Sequence, residues 1–193
     1  MLKRLLLPAL LIAFAAFALA ACGSSESDED KIVDVIETSS TSSDPADCEE
    51  LLTIAFLEQV ESSEGQEAIE SCEEDAEDEE GNPDSVKVSK VEVDGSAASA
   101  NVAFNGGDLD GQTIAIGLVE ADGDWKLDQI EEFVLFDREK LLSVLEEGLS
   151  EAGDSEVAEC VFEELDEYSD EELEEAILEG FAGAVEEAAE SCV

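Results

Sequence analysis

Acid–base chemistry at neutral pH needs a group that binds and releases a proton there, and the commonest such group is missing. The 193-residue chain contains no histidine, so a Ser/His/Asp triad cannot be assembled and the commonest metal ligand is absent. What remains is 54 Asp and Glu residues, one tyrosine (Tyr168), one tryptophan (Trp125) and five cysteines. A carboxylate becomes a useful acid or base when an apolar pocket or a like charge raises its pKa. In the segments that read as strands the acids are few: Glu92, Glu120 and Asp128. Asp128 is the candidate worth following, close in sequence to Trp125; its simpler reading is a solvated charge at a strand end. Phe104 and Trp125 could line a ligand pocket with it, although large aromatic residues in a sheet more often fill a core. The loop Gly106-Gly107-Asp108-Leu109-Asp110-Gly111 partly fits a calcium loop. It fails at position one, which is Gly106, and at position twelve, which is Gly117. It reads as a tight acidic hairpin loop. No specific metal and no cofactor are expected.

The cysteines offer structure rather than catalysis. There is no C-x-x-C, so neither a redox motif nor a zinc knuckle is indicated. Cys48, Cys72, Cys160 and Cys192 form an even set suited to disulfides in an oxidising compartment, and three pairings are open. Cys48–Cys72 would close a loop of about 25 residues, worth roughly 3.5 kcal/mol by chain entropy. Cys160–Cys192 is harder. In a straight hairpin turning near residue 168, the two would lie about 13 Å and about 35 Å from the turn. That bridge requires the last helix to break, and Gly180 and Gly183 are where it could.

The positive n-region of Lys3 and Arg4 precedes an uncharged run from Leu5 to Leu19. At about 15 residues the run is short for a spanning helix. Leu19-Ala20-Ala21-Cys22 resembles a bacterial lipoprotein lipobox. The resemblance implies cleavage after residue 21, a lipid on Cys22, and anchoring at the extracytoplasmic face of a cell membrane. Residues 23–30 are polar and charged and read, with Cys22, as a flexible acidic tether. The formal charge is −46, and removing the leader cations Lys3 and Arg4 takes it to −48. That sign excludes nucleic acid as a partner.

Behind the tether, Ile32, Val33, Val35 and Ile36 mark a short amphipathic helix. Asp44-Pro45 starts a second, carrying Cys48, Leu51, Leu52, Ala55, Phe56 and Val60 on one face to about residue 60. A third spans about 66–75. Period-two patterns then give four strands. They have a bulge near Lys90 and turns at Asp94-Gly95 and Asp122-Gly123. Asp137 and the capping box Ser169–Glu172 open helices in the last third. The expected fold is α+β: helices on a curved antiparallel four-strand sheet, then a small all-α unit. The divisions are 1–21 (signal peptide), 22–30 (tether), 31–135 (α+β domain) and 136–193 (helical unit).

Helices followed by a sheet closing on Asp122-Gly123-Asp124-Trp125-Lys126-Leu127-Asp128 are similar to the cystatin-like cone of the nuclear transport factor two and SnoaL-like superfamily. The likeness covers about 29–135 and implies a sheet wrapped around a helix with a pocket at the open end. Ketosteroid isomerases of that superfamily work with carboxylates beside a tyrosine hydroxyl in an apolar pocket; here Tyr168 falls outside the cone. The favoured reading is therefore a lipid-anchored, non-enzymatic module for a small apolar ligand or a protein partner. A SnoaL-like or isomerase-like enzyme and a structural envelope protein are the alternatives.

Overall fold

Ser27 starts the first helix, α1 (Asp28–Thr41). Its hydroxyl accepts the Asp30 N–H at 3.2 Å, while the Asp30 carboxylate accepts the Ser27 N–H at 3.2 Å and its hydroxyl at 2.6 Å. This capping box, with three acids in the first turn, satisfies orphan donors and suits the helix dipole. Residues 28–30, which polarity alone assigns to the tether, are thus helix. The computed structural model describes residues 27–61, 63–76, 81–152, 155–178, 185, 188–189 and 191–192. The leader, Cys22, Gly180 and Gly183 lie outside them.

The expected second helix is two. α2 (Asp47–Leu51) and α3 (Ile54–Glu61) are separated at Leu52–Thr53. Leu52 forms a parallel bridge with Leu127, and the Thr53 N–H donates to the Leu127 carbonyl at 2.9 Å. The Thr53 hydroxyl then accepts the Phe56 N–H at 3.2 Å and caps α3. Pairing with an edge strand thus overrides a continuous helical pattern. The break also re-phases the inner face: Leu57 is buried, and Val60 is 41% exposed. α4 (Gln66–Ala76) buries Ala68 and Ile69. The Cys48–Cys72 disulfide, Cα–Cα 6.1 Å, staples it to α2.

Four antiparallel strands follow in the order β1-β2-β3-β4: β1 (Ser85–Asp94), β2 (Ala97–Asn105), β3 (Thr113–Ala121) and β4 (Asp124–Leu135). The bulge falls between Ser89 and Glu92, with Lys90 at φ 52°. Asp122 (φ 57°) and Gly123 (φ 98°) make the left-handed pair that a two-residue hairpin needs. β4 has 12 residues against 9 in β3. Its register slips three times, leaving Asp128, Glu131 and Val134 unpaired. Each extra residue bends the strand and adds twist. α1 packs on both β1 and β4. Those edges would stand about 14 Å apart in a flat sheet, and contact of one helix with both suits a sheet curled around it. Ile32 and Ile36, fully buried and one turn apart, fill the concave side against Val102, Ile114, Leu118 and Trp125.

α5 (Arg138–Ala152), α6 (Ser155–Asp166) and α7 (Asp170–Leu178) complete the described helices. The Asp137 carboxylate accepts the Lys140 N–H at 3.2 Å, and the Ser169–Glu172 capping box is formed. Leu173 of α7 packs on Leu141 and Leu142 of α5, whereas Ala188 packs on Val161 and Leu165 of α6. The chain beyond α7 thus comes back to α6, where Cys160 and Cys192 are joined, Cα–Cα 5.9 Å.

Two glutamine side chains fasten this helical part to the sheet. Gln112, 1% exposed, accepts the Asp137 N–H at 2.8 Å and donates to the Asp137 carbonyl at 2.9 Å. Gln59 of α3 accepts the Ile130 N–H at 2.7 Å and donates to the carbonyls of Ile130 (3.1 Å) and Leu178 (2.8 Å). The fold is α+β, with helices on a curved four-strand antiparallel sheet.

Candidate functional site

Of the three residues that the sequence offers as a pocket, Phe104 and Trp125 share the core cluster of the sheet, and Asp128 stands apart from it. Phe104 is partly buried and packs against the sheet's core cluster. Asp128 is the unpaired residue of the first β4 bulge, half-buried, and lines neither the groove nor the smaller cavity described below. Trp125 is 2% exposed and belongs to the core, and it also lines a groove of about 630 Å³.

Three elements build that groove. α1 contributes Lys31, Asp34 and Val35; α2 contributes Glu49, Glu50 and Leu51; the β3–β4 turn contributes Ala121 to Lys126 without Gly123. The break at Leu52–Thr53 is what brings α2 beside this turn, since the same residues hold Leu127. The Lys126 ammonium donates to the Glu49 carbonyl at 2.5 Å, tying α2 to β4. Lys31 is paired with Asp28 at 3.6 Å, outside the groove. Asp34, Glu49, Glu50, Asp122 and Asp124 line it, and among the described residues none of these five carboxylates has an ion pair. Among the described residues the Trp125 indole N–H is buried with no acceptor. An unpaired buried donor costs about 1–3 kcal/mol.

A second cavity, about 160 Å³, lies where α1, α3 and α4 end, and the Cys48–Cys72 bridge lines it. Glu61 and Asp75 both line it and are hydrogen-bonded to each other, with Asp44 and Asp47 also on its wall. Burial, and then the charge of Asp75 and a hydrogen bond with it, push Glu61 up to about 7. Sequence reasoning missed this pair. The local signal is an acid in the last turn of a helix, where the dipole disfavours negative charge, but among 54 acids that signal does not stand out.

The glycine-rich acidic loop is held by its own contacts. The Asp110 carboxylate accepts the Gly106 N–H at 2.9 Å and the Lys140 ammonium at 2.6 Å. The Lys140 hydrogen bond, above all, holds its pKa below the ordinary carboxylate range. Gly107 sits at φ 65°, and a Cβ there would collide with the Gly81 carbonyl, so the loop is a turn packed on residues 81–82 and pinned to α5. Tyr168 is partly buried among the C-terminal helices, against the clusters of Leu173 and Leu165. Compared with known proteins, the chain matches no family model, no curated protein and no solved structure.

Proposed function

We propose that the protein is an extracytoplasmic, lipid-anchored binding module whose site is the groove beside Trp125. The observation that carries the reading is the groove itself: open, ringed by α1, α2 and the β3–β4 turn, and lined by five carboxylates that have no ion pair among the described residues. The filled concave face supports an interaction protein over an enzyme of the cone type, because Ile32 and Ile36 occupy the space a buried substrate would need. The lipobox resemblance at Leu19–Cys22 supports anchoring through Cys22.

The enzyme reading has one observation in its favour, the Glu61 carboxyl poised near neutrality. Its cavity is about 160 Å³ and walled mainly by acids and serines. Ligand pockets run from about 300 Å³, so on size the groove is the better site. Two measurements test the proposal. Cys22→Ala should move the protein from the membrane fraction to the soluble fraction; continued anchoring refutes the lipid attachment. Ligands seated in the groove should shift the emission of Trp125, the chain's single tryptophan; binding that leaves it unmoved places the site elsewhere.

A further inference from the structure

We propose that Glu61 and Asp75 form a proton-operated clasp between the ends of α3 and α4. With the proton in place the clasp holds the last turn of α4 against α3. As pH rises and the proton leaves, that turn comes free and the cavity beside the Cys48–Cys72 bridge opens to solvent.

Glu61 is the last residue of α3, and Asp75 is the last but one of α4. Both line the cavity of about 160 Å³ and are hydrogen-bonded to each other. An ionised carboxylate has acceptors only, so a bond between two carboxyls needs a proton on one of them. The surroundings offer no other neutralisation. Asp47 of α2 and Asp44 before it stand on the same wall, and Glu73 and Glu74 share the last turn of α4 with Asp75. α1 brings only Ser39 and its C-cap Ser42, and Asn82 is uncharged. No lysine or arginine lines the cavity, and among the described residues no ion pair reaches Glu61 or α4. Both acids sit at helix C-termini, where unsatisfied carbonyls disfavour added negative charge. Burial, and then Asp75, push Glu61 up to about 7. The closed clasp therefore holds a proton that the open one gives up, and falling pH favours closure. The rest of α4 is fastened independently: Ala68 and Ile69 pack with Leu57, and Cys72 is bridged to Cys48. The last turn, Glu73 to Ala76, lies beyond that bridge. Loss of the Glu61–Asp75 contact can thus free this turn while the helix behind it stays in place.

The whole surface is acidic, so the test must separate the clasp from diffuse repulsion. Amide hydrogen exchange, corrected for the intrinsic rate at each pH, reads opening segment by segment between about pH 5.5 and about pH 8. About 1 M salt, where the Debye length is about 3 Å, screens the repulsion among the other acids. Protection of the last turn of α4 should fall about fivefold across that interval, the full shift of Glu61 being discounted for its partial exposure. The sheet should keep its protection. Glu61→Gln sets a permanent donor against Asp75 and should keep the turn protected at both pH values. Glu61→Ala removes the contact and should leave it unprotected at both. A parent whose last turn does not respond to pH, or a Glu61→Gln variant that responds as the parent does, overturns the proposal. A fall spread evenly over the sheet and the helices overturns it too, because it marks general repulsion among the acids. Should Glu61→Ala lose protection throughout the chain, Asp75→Asn decides. It offers the donor from the other side and should keep the turn protected at both pH values; a parent-like fall refutes the clasp.

Discussion

Glu61→Gln should make the protein more stable at alkaline pH and indifferent to the substitution in mild acid. Glu61 closes α3, and its carboxyl meets Asp75 at the end of α4, with Asp44 and Asp47 on the same wall. Raised from 4.5 to about 7, the group binds more protons folded than unfolded throughout that interval. Stability therefore rises as pH falls from about 7 toward 4.5, and the penalty is fully present above about 7. At about 1.4 kcal/mol per unit the raised value would correspond to about 3 kcal/mol. Glu61 is partly exposed, and solvent screening reduces that to about 1 kcal/mol. Gln keeps the shape and a hydrogen-bond donor for Asp75 without the charge. The expected gain near pH 8 is about 1 kcal/mol, or about 2–4 °C in Tm for a domain of this size. Near pH 5 parent and variant should melt within a few tenths of a kcal/mol, so the difference between their profiles isolates this group from the other acids. Asp75→Asn should flatten the profile in the same interval. Parallel pH profiles for parent and Glu61→Gln, or a destabilised variant at pH 8, would refute the argument.

Gln112→Ala removes both hydrogen bonds to the Asp137 backbone from a fully buried position; the loss should be about 2–4 kcal/mol in urea unfolding, and a loss below about 0.5 kcal/mol would mean that water replaces the amide. Trp125→Ala truncates a core aromatic residue and should cost about 3–5 kcal/mol; a near-zero cost would remove Trp125 from the core. The charge of −46 should make stability climb with sodium chloride between about 0.01 M and 1 M, as the Debye length falls from about 30 Å to about 3 Å. A melting point indifferent to salt would show the acids already neutralised.

The sheet was readable because its signals are local. Val86 and Val88 against Val91 and Val93 place the Lys90 bulge by a change of phase, and Asp122-Gly123 is turn chemistry with one conformation to choose. The cysteines were legible as an even set with three pairings open, and the observed Cys160–Cys192 bridge carries with it the return of the chain beyond α7. What stayed hidden depends on contacts far along the chain. The split at Leu52–Thr53 exists because Leu127 needs an edge partner, and 75 residues separate Leu52 from Leu127. The three slips in β4 leave no period that a sequence window would detect. Ser27 and Asp30 look like any other polar pair until the helix behind them is in place. The groove needs α1, α2 and the β3–β4 turn together, so no stretch of sequence announces it; Phe104 and Trp125 meet in the core cluster as alternation suggests, whereas the bulge at Asp128 takes that residue out of the register.

The disulfide connectivity bears on how the chain matures. The bridges join first to second and third to fourth of the four paired cysteines, with separations of 24 and 32 residues, and neither spans the sheet. A polypeptide delivered N-terminus first exposes Cys48 and Cys72 well before Cys160, so the first pair can close before the thiols of the second pair arrive. The second pair follows when the first is already sealed. Consecutive pairing is the one arrangement of three that sequential delivery reaches by direct oxidation, without the slow thiol–disulfide reshuffling that crossed patterns require. Such a chain can depend on an oxidant alone and dispense with an isomerase.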